Sequence, residues 1–307
     1  MTGDTAIAKI LKAEGLDWFS CFPNHSLIDA CAKEGLRPIL CRQERAGVNI
    51  ADGFSRIKNG NTIGVFMMQT GPGAENAFGG VAQAYADSVP VLLLPGGPSR
   101  SRQGMGLSFE SVENYRGITK WVSNISSAAR VPEMMSRAFS LLKQGKPGPV
   151  MLEIPSDVST EEFPDDAFDY TPVEPFKCGA SPEDIRDLIT ALLRAECPVI
   201  SAGQGVLYAE ATDFLCERFM EVLKKGNPGY RIRAFYPEIR LTTTSYARVD
   251  SRLSFGHVAL PGTYSTTVTR PDLFRSYLTQ QIGLLIKNHG QPVAIGPSHT
   301  PIPVHFA

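Results

Sequence analysis

From Thr5 to Pro155 the apolar positions alternate between two periods. Ile7, Ile10 and Leu11 fall on one face of a helix closed by Glu14-Gly15, and Trp18-Phe19-Ser20-Cys21-Phe22 follows as a compact buried strand. Ser26 to Glu34 reads as a second helix with Gly35 just past its end, where a left-handed residue is favoured. Pro38 to Cys41, Thr62 to Gln69, Val89 to Leu94 and Val150 to Ile154 are continuous apolar runs, which predicts strands buried on both faces. Ala46 to Ile57, Ala74 to Asp87 and Val131 to Gly145 supply the covering helices. The expected fold class is α/β: a three-layer parallel sheet with helices on both faces, followed by a smaller α+β C-terminal segment.

The intervening stretches read differently. Gly96 to Tyr115, rich in Gly, Ser and Arg, is expected to be a long surface loop, and long ordered loops often carry function. Pro155 to Cys178 is acidic and contains proline, so a linker and a domain boundary are expected there. Ser181-Pro182-Glu183-Asp184 is a good helix start, with Ser as cap and acids in the first turn; that helix runs to Arg194. One more strand is expected at Pro198 to Ala202. Beyond Ala211 the pattern changes to a helix at Thr212 to Lys225, β-type runs at Tyr230 to Thr244 and His257 to Thr269, and a helix at Asp272 to His289 ended by Gly290.

Composition narrows the possible partners. The chain has 307 residues, 43% apolar and 20% charged, and Lys+Arg 30 balance Asp+Glu 31. No basic footprint for nucleic acid or a membrane surface follows, so small molecules or proteins are the expected partners. No apolar stretch approaches the roughly 20 residues that span a bilayer, and Met1-Thr2-Gly3-Asp4 has no basic leader, so a cytoplasmic location is expected. Cys21, Cys31, Cys41, Cys178, Cys197 and Cys216 form no Cys-x-x-Cys pair and read as buried thiols. The histidines lack ligand spacing on one element, so no metal site is expected.

Two segments carry candidate chemistry. Cys41-Arg42-Gln43-Glu44-Arg45-Ala46, continuing to Arg56, sets one carboxylate, Glu44, at the junction of an apolar run and an amphipathic helix. Met67-Met68-Gln69-Thr70-Gly71-Pro72-Gly73-Ala74-Glu75-Asn76 is a strand, a Gly/Pro turn and a helix start. Position alone leaves Glu44 as either a ligand-facing acid or a solvent-facing one favoured by the helix N-terminus. Thr70, Gly71 and Asn76 likewise form either a close approach to a ring or an ordinary capped turn. Asn24-His25 is either a substrate contact or a capping Asn with a surface His, and Arg100 and Arg102 of the long loop either meet an anion or are solvated. Asn76 stands where a dinucleotide fingerprint needs its third glycine, so nucleotide binding is not expected in this half.

Five stretches in order extend these segments: Phe22-Pro23-Asn24-His25-Ser26, Arg42 to Arg56, Thr70-Gly71-Pro72-Gly73-Ala74-Glu75-Asn76, Ala84-Tyr85-Ala86-Asp87-Ser88-Val89-Pro90-Val91, and Gly148-Pro149-Val150-Met151-Leu152-Glu153-Ile154-Pro155. Together they resemble the pyrimidine-binding domain of thiamine diphosphate enzymes of the acetolactate synthase and 2-oxoacid decarboxylase superfamily. The resemblance covers residues 1 to about 208, of which 181 to 208 match only the opening of the family's central domain. It implies that Glu44 is catalytic, hydrogen-bonding N1′ of the cofactor's aminopyrimidine and favouring the tautomer that removes the thiazolium C2 proton. It implies that Thr70, Gly71, Pro72, Gly73 and Asn76 bind thiamine diphosphate and that Asn24 and His25 meet substrate. No Gly-Asp-Gly followed by paired Asn occurs, so the Mg²⁺ and diphosphate site is expected outside this chain. A homo-oligomer, or a partner chain carrying the diphosphate domain, is implied, with a 2-oxoacid as substrate.

Further on, Phe235-Tyr236-Pro237-Glu238-Ile239-Arg240, Gly256-His257-Val258, the run from Gly262 to Leu278, and His299 to His305 resemble the N-terminal domain of AMP nucleosidase. Within it His257, Arg270 and Arg275 are either phosphate-facing or incidental surface charges. The expected organisation is a pyrimidine-binding domain at 1–170, a linker and truncated central domain at 171–210, and an AMP nucleosidase N-terminal-like domain at 211–307. The expected function is thiamine diphosphate binding within 2-oxoacid carboligation or decarboxylation, incomplete in this chain alone. A purine-nucleotide function of the last third and a non-catalytic fusion or scaffold are the alternatives.

Overall fold

A computed structural model describes residues 1–23, 26–105, 109–175, 179–195, 203–211 and 214–215, together with the backbone of short strands between 240 and 303. The chain divides into two compact units, Met1–Gly179 and Ala180–Ala307.

The first unit is built on a six-stranded, all-parallel sheet. Its strands are β1 (Trp18–Cys21), β2 (Arg37–Leu40), β3 (Gly64–Met68), β4 (Val91–Gly97), β5 (Trp121–Asn124) and β6 (Val150–Pro155), in the spatial order β2-β1-β3-β4-β6-β5. Helices α1 (Gly3–Ala13), α2 (Ser26–Lys33), α3 (Glu44–Ile57), α4 (Pro72–Ala86), α5 (Ser111–Tyr115) and α6 (Val131–Lys143) connect them. The two apolar clusters divide by face. Ile7, Ile10, Phe19, Met67, Leu92, Leu94, Met135 and Phe139 belong to one, and Val48, Phe66, Met68, Val81, Leu93 and Met151 to the other. Adjacent residues of β3 and β4 thus enter opposite layers, as the period of two demands.

The parallel sheet and its covering helices agree with the sequence reading, and four details differ. First, β2 is an edge strand: Leu40 is 65% exposed, so the Pro38 to Cys41 run is not buried on both faces. Pro38 is tolerated there because an edge strand has one side without a ladder to satisfy. Second, the expected loop at Gly96 to Tyr115 begins inside β4 and ends with the helix α5, which buries Tyr115. Third, β5 is an additional strand, half-buried along its length, and β6 inserts between it and β4.

Fourth, the acidic stretch after Pro155 is not a free linker. It forms α7 (Ser156–Thr160) and then straps back along the first unit. Thr2 bridges Glu162, and the amino terminus donates to Phe163 O (2.8 Å) and to Asp165 (2.6 Å). The fully buried carboxylate of Glu14 accepts from Lys143 Nζ (2.5 Å), from the Tyr170 hydroxyl and from Val173 N (2.9 Å). Phe163 joins the core and Phe168, Tyr170 and Val173 pack against it, so apolar anchors hold the strap although its remaining surface is charged.

In the second unit α8 (Pro182–Arg194) begins where expected, with the Ser181 hydroxyl accepting from Glu183 N at 3.2 Å. Lys287–Asn288 and Gln291–Ile295 pair as an antiparallel hairpin, which replaces the end of the helix expected up to His289. Asn288 registers with Gln291 in that pair. The strand expected at Pro198 to Ala202, the helix at Thr212 to Lys225 apart from Phe214-Leu215, and His257, Arg270 and Arg275 lie outside the described residues.

Candidate functional site

The strand order reverses direction between β1 and β3, because the chain steps from β1 outward to β2 and then returns to the other side of β1. In open parallel sheets the crevice beyond the carboxyl ends at such a reversal is the natural ligand position. The elements that meet there are Phe22 after β1, the start of α3 after β2, and the Gln69–Gly73 turn after β3. Phe22 N donates to Met67 O at 3.0 Å, which holds the first of these beside the third.

Glu44 opens α3 and is only 4% exposed, which removes the solvent-facing reading. Its Oε2 accepts from Asn76 Nδ2 at 3.3 Å, so residues 32 apart in sequence meet at the N-terminal ends of α3 and α4. Asn76 itself is exposed, leaving the pair open to an incoming group. Gly71 caps α4 with φ +63° and ψ −98°, a backbone setting that side-chain-bearing residues resist, and Pro72 follows with its pre-set φ at the first helical position. Gly73 is required by space. A Cβ there would lie 2.8 Å from Gln69 Cβ and 3.3 Å from Glu44 Oε1, so a side chain would press on both.

The structure thus brings Glu44, Gly71, Pro72, Gly73 and Asn76 together, with Thr70 exposed on the turn that carries them. Asn24 and His25 lie outside the described residues. Arg100 is occupied otherwise: its guanidinium donates to Asp157 (2.6 Å), to the Ser126 carbonyl (3.0 Å) and toward Glu161 (3.3 Å), tying the β4 exit to α7. Cys21 and Cys31 are buried thiols and Cys41 is half-buried; the other three cysteines lie outside the described residues.

A second acid at the carboxyl end of the sheet was not singled out from sequence. Glu153 on β6 is 6% exposed, and a Cβ on Gly97 would come within 2.6 Å of its Cγ. Burial pushes its carboxyl up to about 7, the Ser111 side chain pulls the other way, and Glu110 adds to the rise. The signal available in sequence was one charge inside an otherwise apolar strand, Val150-Met151-Leu152-Glu153-Ile154. Among the described residues no group of three or more His, Cys, Asp or Glu could hold a metal ion, and no helix is long and apolar enough to cross a membrane.

A parallel α/β unit with a buried carboxylate beside an exposed amide at its strand-order reversal has the layout of a small-molecule-binding domain. Its family follows from comparison with known proteins: residues 1–124 match the thiamine pyrophosphate enzyme N-terminal TPP binding domain, and this part of the chain belongs to that family. Residues 204–307 match the bacterial AMP nucleoside phosphorylase N-terminus. The acetolactate synthase large subunit of Lactococcus lactis is 32% identical over 220 residues, 69% of this chain and 38% of that protein. Glyoxylate carboligase of Escherichia coli O157:H7 is 33% identical over 192 residues, 61% of this chain and 32% of that protein. A probable acetolactate synthase large subunit of Methanocaldococcus jannaschii is 34% identical over 235 residues, 73% and 39% respectively. The chain spans less than two fifths of the length of these curated relatives.

Proposed function

We propose that the first unit binds the aminopyrimidine end of thiamine diphosphate through Glu44, as part of an enzyme that decarboxylates or joins 2-oxoacids. The observation that carries this reading is the buried carboxylate of Glu44, hydrogen-bonded to the exposed Asn76 at the strand-order reversal. The residues fit a heteroaromatic ring that carries a nitrogen: Glu44 has a carboxyl that can share a proton with such a nitrogen, and its neighbour Gly73 has no side chain to intervene. Glu44 would hold a proton against a ring nitrogen, and the Asn76 amide would keep the carboxylate oriented. Thr70, Gly71 and Pro72 would present the turn's backbone to the ring edge, while burial around Glu44 excludes competing water. Thiamine diphosphate, when bound, supplies a carbon nucleophile and an electron sink for cleaving or forming bonds beside a 2-oxoacid carbonyl.

Diphosphate and Mg²⁺ would be held by a separate domain, carried by a second copy or by another chain, and Asn24 and His25 would face the substrate. A cytoplasmic setting belongs to the same proposal. Calorimetric titration of the purified chain with thiamine diphosphate and Mg²⁺, with Glu44→Gln as control, tests it. Saturable binding weakened by Glu44→Gln supports the reading, and equal binding by both proteins would refute the role of Glu44. A purine-nucleotide role for residues 204–307 is a second reading, favoured by the family match there. Titration with AMP checks it.

A further inference from the structure

Each helix that contributes to the Glu44–Asn76 pair is also tied to the body of the unit by a buried hydroxyl. Ser20, on β1 and fully buried, places its Oγ 2.8 Å from the carbonyl of Gly47, in the first turn of α3, and 3.2 Å from the carbonyl of Val65 on β3. Tyr115, on α5 and fully buried, donates its hydroxyl to the carbonyl of Ala74 at 2.6 Å, in the first turn of α4 and two residues from Asn76. Its ring is held edge-on by Phe78 (5.3 Å) and Phe109 (6.4 Å).

Neither carbonyl needs these donors. A helical carbonyl already accepts from the amide four residues on, so the added bond does little to satisfy it and much to locate it. Location matters at this point. Apolar packing between α3 and α4 is close, since a Cβ on Gly80 would come within 3.0 Å of Val48 Cγ1, but apolar attraction is non-directional and does not by itself set a polar pair at hydrogen-bonding distance. The Glu44–Asn76 contact is already at 3.3 Å, near the outer limit for an N–H···O bond, so a shift of a few tenths of an ångström breaks it.

We propose that Ser20 and Tyr115 are positioning residues: one holding α3 and the other α4, they set the relative height of the two helices and so keep Glu44 within reach of Asn76. The consequence for ligand binding rests on the proposed function; the positioning itself can be read in the ligand-free protein.

The test uses nuclear magnetic resonance of the full chain with Ser20→Ala, Tyr115→Phe and Thr119→Val. Thr119→Val is the control, because the Thr119 hydroxyl is also buried and donates to Tyr115 O (2.7 Å) without reaching α3 or α4. Ser20→Ala and Tyr115→Phe are expected to move the Asn76 side-chain amide resonances toward those of Glu44→Ala, while Thr119→Val leaves them in place. Where the wild type binds thiamine diphosphate, the two positioning variants should also bind about tenfold more weakly, the effect of losing one hydrogen bond's worth of alignment. Asn76 resonances unchanged in both folded variants, whatever their melting temperatures, would overturn the inference. Displaced resonances in a wild-type protein that fails to bind the cofactor would uphold the positioning and sink the proposed function instead.

Discussion

Replacing Glu153 with Gln should make the first unit more stable at pH 8 and leave its stability nearly unchanged at pH 4.5. Glu153 is 6% exposed, and its carboxyl is raised from 4.5 to about 7, chiefly by burial. Between these two values the folded protein binds more protons than the unfolded chain, so stability falls as pH rises through that window and levels off above it. Holding the ionised group in place above pH 7 costs about 3 kcal/mol, from about 1.4 kcal/mol per tenfold difference in proton affinity. Glutamine has nearly the same shape, so it preserves the close approach of Gly97 while removing the charge. The assay is urea unfolding at several pH values from 4.5 to 8.5, followed by tryptophan fluorescence. Trp18 and Trp121, the two tryptophans of the chain, both lie in the first unit, and Trp121 registers directly with Val150 on the strand that carries Glu153. The difference between variant and wild type should grow from near zero to about 3 kcal/mol across that range. Parallel profiles for the two proteins would show that Glu153 does not titrate with a raised value and would refute the reasoning.

Gly73→Ala should displace the Glu44 carboxylate, because the new methyl would lie 3.3 Å from Oε1 and 2.8 Å from Gln69 Cβ. Thiamine diphosphate affinity by calorimetry should fall at least about tenfold, and wild-type affinity in the variant would count against the site. Arg56→Met leaves Asp52 and Asp87 without the guanidinium that binds them at 2.7 and 3.0 Å, at side-chain exposures of only 10% and 19%. A loss of about 2–4 kcal/mol in urea unfolding is expected, and a change under 1 kcal/mol would mean that water already screens the cluster. Glu14→Ala removes the acceptor of Lys143, Tyr170 and Val173 together, so limited proteolysis should cut between residues 161 and 175 much faster than in the wild type. An unchanged cleavage rate would show that the apolar anchors alone hold the strap. The purified chain alone should show negligible 2-oxoacid turnover, since pyrimidine contacts without charge-assisted diphosphate contacts hold the cofactor weakly. Robust 2-oxoacid consumption by a homogeneous sample would sink that expectation.

The local pattern of the sequence was enough to determine the inner strands, the helices between them and the Gly71-Pro72-Gly73 turn. Burial on both faces writes a continuous apolar run, a covering helix writes a period of 3.6, and a strand-to-helix turn of this kind demands its glycines and proline. Glu44 stood open on position alone, among polar neighbours at a strand-to-helix junction, and it was the resemblance of the surrounding motifs that singled it out. Partnership was decided only in three dimensions. Glu44 and Asn76 are 32 residues apart, and nothing near either one specifies the other. The half-buried edge β5 carries a weak pattern, the insertion of β6 beside it depends on pairing across the fold, and the acidic strap reads as linker until Phe163 and Tyr170 find the face left open by α1 and α6. Glu153 shows the division most plainly. Its identity is local, but its proton affinity comes from the strands and helix that remove water around it, and desolvation is a property of the packed assembly rather than of any segment.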